Sequence, residues 1–311
     1  MADLTAQLKE FARQAGADLV GIASIDRFAD VPSHQHPASI FPDATAVVVI
    51  GRRITRGTIR AVEEGTNWQT YELFGYHWLD TEFLALTVFE VTEWLEDQGW
   101  EACPIFPFPL EAWPQGVPVR DGQPAPNVFI DLEYAAVAAG LGEIGWAQIF
   151  LSPQFGPLQR LQAIITDAPL TPDPLSQQRL CSVCGLCAAV CPLKAFDPSK
   201  EQTIRVAGME FTVASIDFSL CRRCPNGARP NRYHPSGKPD RIAALCIRSC
   251  LAQLDESGKL QARFEQPFRR RDYWALDVLG RIAAVESWDD IKGTGCADPS
   301  GFREMEQRGE R

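Results

Sequence analysis

Hydrophobic and polar positions along the first 170 residues switch between two periods. Residues 5–16 place apolar side chains at helical spacing and end at Gly16, which predicts an amphipathic helix. ADLVGIAS, from Ala17, reads as a strand, and ATAVVVIG, from Ala44, is a continuous β-branched run of the kind buried on both faces of a sheet. Between them lies a proline-containing loop with His34 and His36. GRRITRGTIRAVEEG, from Gly51, is a basic segment closed by two glutamates and a glycine.

Residues 68–97 read as one or two long helices. Leu84, Val88, Val91 and Leu95 recur on one face, with Glu90, Glu93, Glu96 and Asp97 mostly off it. EACPI reads as a short strand, and residues 106–127 as a Pro- and Gly-rich loop long enough to be functional. A short helix around YAAVAAG leads into GLGEIG, and LQRLQAIIT, from Leu158, is a further strand. TDAPLTPDPLSQQ, from Thr166, is a proline-punctuated linker.

Strands alternating with helices predict an α/β (α+β) core over 1–172. A cysteine-rich domain follows over 173–256. Residues 257–311 form a C-terminal segment whose YWALDVLGRIAAVESW stretch is expected to be a helix packing back on the core.

The chain has 311 residues and a formal net charge of −10. That charge argues against nucleic acid and anionic membranes as partners. No apolar run is long enough to span a bilayer, and the N-terminus carries no signal-peptide pattern. Ten cysteines in a chain without an export signal point to metal ligands and a reducing cytoplasm.

Cys181, Cys184, Cys187 and Cys191, followed by Pro192, match the ferredoxin run C-x2-C-x2-C-x3-C-P. Three thiolates on one tight loop reach three corners of a single 4Fe–4S cubane, and the fourth points to another cluster. Cys246 and Cys250 repeat the spacing of Cys187 and Cys191. Pseudo-symmetry then assigns Cys181, Cys184, Cys187 and Cys250 to one 4Fe–4S cluster, and Cys191, Cys221, Cys224 and Cys246 to a second. A tetrahedral zinc site is the alternative for the second set. Cys103 and Cys296 read as buried thiols, and His34, His36, His77 and His234 show no ligand spacing. Arg179, Arg222, Arg223 and Arg248, beside the ligands, are candidates to offset cluster charge.

AAVAAGLGEIGWAQIFLSPQFGPLQRLQAIITDAPL, from Ala135, followed by CSVCGLCAAVCPLKAF, resembles the epoxyqueuosine reductases and the related reductive dehalogenases. The similarity extends over most of residues 10–250. It implies a nitroreductase-like α/β core that binds cobalamin, with a ferredoxin-like double-cluster module against it. Electrons from a low-potential donor such as ferredoxin or flavodoxin would pass through the clusters to cobalt. Halide or oxygen would then be removed from a small organic substrate. Gly140, Gly142 and Gly145 are the candidate corrinoid contacts. Tyr134 is a candidate proton donor that also reads as an amphipathic core tyrosine, and Asp131 and Glu133 are weaker candidates that also read as a helix cap and a surface acid.

Several positions depart from the family. Pro126 stands where an ungapped match puts the catalytic aspartate of epoxyqueuosine reductases. Trp146 replaces a lysine, and Ala243 and Leu251 stand in for a ligand cysteine and the proline after the last ligand. These changes argue against tRNA as substrate. An electron-transfer or corrinoid-activating protein serving a partner enzyme is the alternative. Arg52, Arg53, Arg56 and Arg60 are candidate anion contacts. Trp68, Tyr71, Phe74, Tyr76 and Trp78 form an aromatic run beside them that either lines a cavity or packs the core.

Overall fold

The computed structural model describes residues 3–106, 116–222, 224, 226–228 and 238–271, with the backbone of 274–276 and 282–284. Arg223, His234 and Cys296 lie outside the described residues. Helix α1 (Leu4–Gln14) is capped by Asp3, whose carboxylate accepts from Thr5 N. Strands β1 (Leu19–Ser24) and β2 (Ala46–Arg53) follow. The basic segment then forms helix α2 (Arg56–Glu63) in place of a solvated loop.

Helix α3 (Gln69–Tyr71) opens a continuous helical run that is π-helical over Glu72–His77 and Leu79–Leu84 before it becomes α4 (Ala85–Asp97). The wide turns leave main-chain carbonyls to side chains from the sheet. Gly75 O accepts from Arg160 Nε at 2.8 Å and Asp80 O from Gln162 Nε2 at 2.7 Å. Gly75 has no alternative there, since a Cβ would stand 2.5 Å from the Tyr71 ring.

Strand β3 (Ala102–Ile105), helix α5 (Leu132–Ala138), the short strands β4 (Glu143–Gly145) and β5 (Ile149–Leu151), and strand β6 (Gln159–Thr166) complete the first half. The cysteine region adds α6 (Leu186–Ala189), β7 (Phe196–Val206), β8 (Met209–Ile216), α7 (Phe218–Cys221) and α8 (Leu245–Glu256). The final pair is β9 (Trp274–Leu276) and β10 (Ile282–Ala284), joined antiparallel. A single helix over YWALDVLGRIAAVESW is therefore corrected to a strand pair at its described positions, where Ile282, Ala283 and Ala284 face Leu276, Ala275 and Trp274.

The central sheet has the order β1-β2-β6-β3, and every neighbouring pair is antiparallel. Its inner strand β2 is buried from Ala46 to Gly51. Alternation sorts its side chains between two cores. Ala46, Val48 and Ile50 pack with α1 and α4, through Leu8, Ala12, Val88, Val91 and Leu95. Val47 and Val49 pack on the other face with Ala135–Ala139 of the α5 region and with Val206, Phe211 and Val213 of the β7–β8 hairpin.

A third core joins Ile59 of α2 and Trp68, Tyr71 and Tyr76 to Leu180, Cys187, Cys246 and Ile247. The cysteine region thus shares a hydrophobic core with the segment before β3. Phe74 and Trp78, from the same aromatic run, stay exposed and meet edge to face at 5.2 Å.

Candidate metal centre

Cys181 and Cys184 lie on a loop that turns through left-handed Val183 and Gly185, so that α6 starts at Leu186 and carries Cys187. Cys191 follows just beyond α6, Cys221 ends α7, and Cys246 and Cys250 stand one turn apart on α8. None of the described cysteines is in a disulfide.

The thiols form two adjoining groups, which meet where Cys187 and Cys250 of one lie near Cys246 of the other. Burial, and then the charges of Cys187, Cys181 and Cys184, push the Cys250 thiol up. Burial and then Cys246, Cys181 and Cys184 push Cys187 up to about 12. In the second group burial again dominates. Cys246 rises to about 12, with Arg241 opposing and Cys191 and Cys221 adding to it. Cys224 rises to about 12 with Cys246 and Cys191 beside it.

Cys191, Cys221, Cys224 and Cys246 together line one cavity of about 330 Å³, mouth included. Among the described residues no three Cys, His, Asp or Glu side chains converge as a single metal ion requires. Four thiols are the donor set a 4Fe–4S cubane takes.

Two buried cations flank the second set. Arg248, 2 % exposed, donates from Nε to Ala243 O at 2.9 Å and from Nη2 to Asn226 Oδ1 at 2.9 Å; burial pulls it down to about 10. Arg241, 4 % exposed, lines the cavity itself. Its Nη2 donates to Ala147 O at 2.7 Å and Gln148 O at 3.0 Å, while its Nη1 is buried without a hydrogen-bond partner. A guanidinium with an unpaired buried N–H beside four thiols is the complement of an anionic cluster. The second donor set therefore fits the group in charge as well as in ligand type.

At the first set, Glu143 does the positioning. Its buried carboxylate accepts from Leu180 N at 2.9 Å and Cys181 N at 2.6 Å, and Arg179 Nη1 stands 3.8 Å away. Burial holds the Glu143 carboxyl above its ordinary range, against those two amides and Arg179. Trp146 N also donates to Cys181 Sγ at 3.3 Å, and Ala195 N to Cys191 Sγ at 3.4 Å. Such donors stabilise thiolate charge and raise cluster potential. Sequence reasoning singled out neither Glu143 nor Arg241; the one available signal was an acid set inside the otherwise apolar GLGEIG. Arg222, a candidate charge partner, is exposed.

No protein-family model matches the chain. A tetrachloroethene reductive dehalogenase of Desulfitobacterium hafniense is 35 % identical over 72 residues, 22 % of this chain and 13 % of that protein. A solved reductive dehalogenase, described as suggesting a mechanism for B12-dependent dehalogenation, superposes on 96 % of this chain with a TM-score of 0.51 at 16 % identity. The chain shares its fold with the reductive dehalogenases. It spans 36 % of that solved enzyme. Epoxyqueuosine reductase from Streptococcus thermophilus superposes at a TM-score of 0.49 and 12 % identity, over 84 % of this chain and 69 % of that one.

Within this reductive-dehalogenase fold the residues put forward for a corrinoid and for proton transfer have other work. A Cβ on Gly140 would stand 2.2 Å from Pro174 O, on Gly142 2.0 Å from Leu151 O, and on Gly145 2.9 Å from Leu151 Cδ1. These glycines admit the chain's own backbone and side chains, so they do not fit as the cradle of a cofactor. The Tyr134 hydroxyl donates to Arg27 O at 3.0 Å and accepts from Ala207 N at 3.1 Å, which occupies both its roles. Burial raises its pKa. Asp131 caps α5 by accepting from Glu133 N and Tyr134 N. Glu133 is corrected from a surface acid to a half-buried tie, accepting from Phe150 N at 3.0 Å and Lys238 Nζ at 3.2 Å. Trp146 stacks on Phe196 at 5.9 Å and donates from Nε1 to Glu201. Of the basic segment, Arg52 donates to Phe83 O, while Arg53, Arg56 and Arg60 pair with Asp18, Glu63 and Glu64.

Proposed function

We propose that the chain is an iron–sulfur oxidoreductase with two 4Fe–4S clusters. Cys181, Cys184, Cys187 and Cys250 hold the first. Cys191, Cys221, Cys224 and Cys246 hold the second. The observation that carries this reading is the cavity into which the four thiols of the second set converge, lined also by Arg241, whose Nη1 is buried and unpaired.

Each cluster stores one electron, so a pair supplies the two that a reductive cleavage consumes. The chain's own residues hold the ligand loop through Glu143, present N–H donors to Cys181 and Cys191, and place Arg241 and Arg248 to offset charge. The donor is a low-potential carrier such as ferredoxin or flavodoxin. The acceptor is a small organic molecule that takes up the two electrons and one proton from solvent as its carbon–halogen or carbon–oxygen bond breaks, releasing halide, or hydroxide that a second solvent proton turns to water. No step here runs through a corrinoid, because the residues put forward for one are packed against protein.

Delivery of electrons to a partner enzyme is the second reading. It is favoured by the commitment of Tyr134 and Asp131 to structural hydrogen bonds. The test is anaerobic purification from cells supplied with hydroxocobalamin, with iron, cobalt and zinc measured per chain. About eight irons per chain, and leaving-group release driven by a chemical reductant, are expected. About eight irons with no turnover unless a partner protein is added supports the second reading. Four irons with one zinc overturns the assignment of the second set.

A further inference from the structure

The helical run that ends in α4 is apolar on two sides. Leu84, Val88, Val91 and Leu95 are buried in the core beneath it. A surface helix ordinarily turns polar residues outward. Here Phe74, Trp78, Phe83, Leu86 and Phe89 stand between 39 % and 58 % exposed. They recur in steps of four and five through the π-helical turns and of three into α4, so they follow one side of the run. Half the area that such side chains carry makes a stripe of roughly 450 Å². Single exposed apolar residues are ordinary, but a contiguous patch of this size marks an interaction site. With a polar rim it matches one side of a standard protein interface, about 800 Å².

The rim is acidic. Glu82 stands four residues after Trp78 and four before Leu86, and Glu93 four after Phe89, so both edge the stripe. Both are exposed, and exposed Glu96 and Asp97 continue the charge. Among the described residues none of these four acids is in an ion pair. No lysine or arginine occurs in the sequence between Arg60 and Arg120. Arg160 and Arg52 reach the run from strands of the sheet, and they spend their N–H groups on Gly75 O at 2.8 Å and Phe83 O at 3.1 Å.

Charge then selects the occupant. A second copy would bring acid against acid in a two-fold pairing, on a chain of net charge −10. Anionic lipid is repelled for the same reason. A partner surface with lysine or arginine around an apolar face answers both the stripe and its rim.

We propose that this stripe is the docking surface for a basic amphipathic helix of a partner protein. The helix lies along the run, sets its apolar face on Trp78, Leu86 and Phe89, and places lysine or arginine against Glu82 and Glu93. The surface uses none of the cysteines, so it is independent of the cluster reading.

The test is fluorescence anisotropy on the full chain with a labelled amphipathic leucine–lysine peptide of about 18 residues, and with its leucine–glutamate counterpart. Micromolar binding of the lysine peptide is expected, weakened by salt, with the glutamate peptide at least about tenfold weaker. The double variant Leu86→Gln/Phe89→Gln should weaken the lysine peptide about tenfold at an unchanged thermal midpoint, since both side chains are exposed. Glu82→Gln/Glu93→Gln should weaken it severalfold, and Asp43→Asn/Glu265→Gln, outside the run, should leave it within about twofold. Equal binding of the two peptides overturns the proposal, as does a lysine peptide indifferent to Leu86→Gln/Phe89→Gln. A dimer in sedimentation that the same double variant splits overturns it in favour of a second copy. Adsorption to phosphatidylcholine vesicles that this variant abolishes overturns it in favour of a membrane.

Discussion

Three single residues carry distinct consequences. Asp80 is 5 % exposed and its Oδ1 has no partner. Burial raises its carboxyl from 3.8 to about 6, with Arg160 opposing and Asp240 adding to the rise. The folded chain therefore holds this proton more tightly than the unfolded one. The stability Asp80 contributes is full below about pH 4 and is lost as pH rises through 6, a change of roughly 3 kcal/mol. Asp80→Asn should flatten that part of the profile, read as urea midpoints between pH 4 and 8.

Tyr134 separates two roles in one measurement. Tyr134→Phe should cost about 1–2 kcal/mol of stability, because Ala207 N loses its acceptor, and leave turnover largely unchanged. A rate loss of a hundredfold or more at unchanged stability would restore it as a proton donor. Arg241→Gln should leave iron content intact and lower the midpoint potential of the second cluster, on the order of tens of millivolts. Potentiometric titration followed by electron paramagnetic resonance reads it.

At the scale of elements, the β7–β8 hairpin was not legible because its turn lacks the usual residues. Ala207 and Gly208 join Val206 to Met209, both with positive φ, at 49° and 79°. Sequence reasoning looks for Asn-Gly or Gly-Gly at such a two-residue turn, and alanine there is strained. Ala207→Gly should raise stability by about 1 kcal/mol, measured as a shift in thermal midpoint. By contrast, β2 was legible since a β-branched run between loops has few other uses, and the face Leu84, Val88, Val91 and Leu95 is buried as its spacing predicted. The π-helical turns before it were not. They depend on Arg160 and Gln162, which reach Gly75 and Asp80 from a strand more than eighty residues away.

At the scale of the whole molecule, the two proposed thiol sets are interleaved along the chain. In the proposed grouping Cys191 goes with Cys246, and Cys250 returns to Cys181, Cys184 and Cys187. Cys250→Ser should therefore disrupt the first cluster and Cys191→Ser the second, each leaving about four irons of about eight. Iron assay with cluster spectroscopy checks which remains. If instead Cys250→Ser and Cys246→Ser disrupted the same cluster, the grouping would fail.

The sequence alone determined what depends on short spacing. The C-x2-C-x2-C-x3-C run, the strand from Ala46 and the amphipathic helices are set by local geometry, which three or four intervening residues fix. The tertiary structure decided what depends on contacts between distant segments. Only there do Gly140, Gly142 and Gly145 meet Pro174 and Leu151. Only there does Tyr134 meet Arg27 and Ala207, and Glu143 reach the amides of Leu180 and Cys181. The reason is physical: a glycine, a tyrosine or a buried acid takes its role from which groups fold against it.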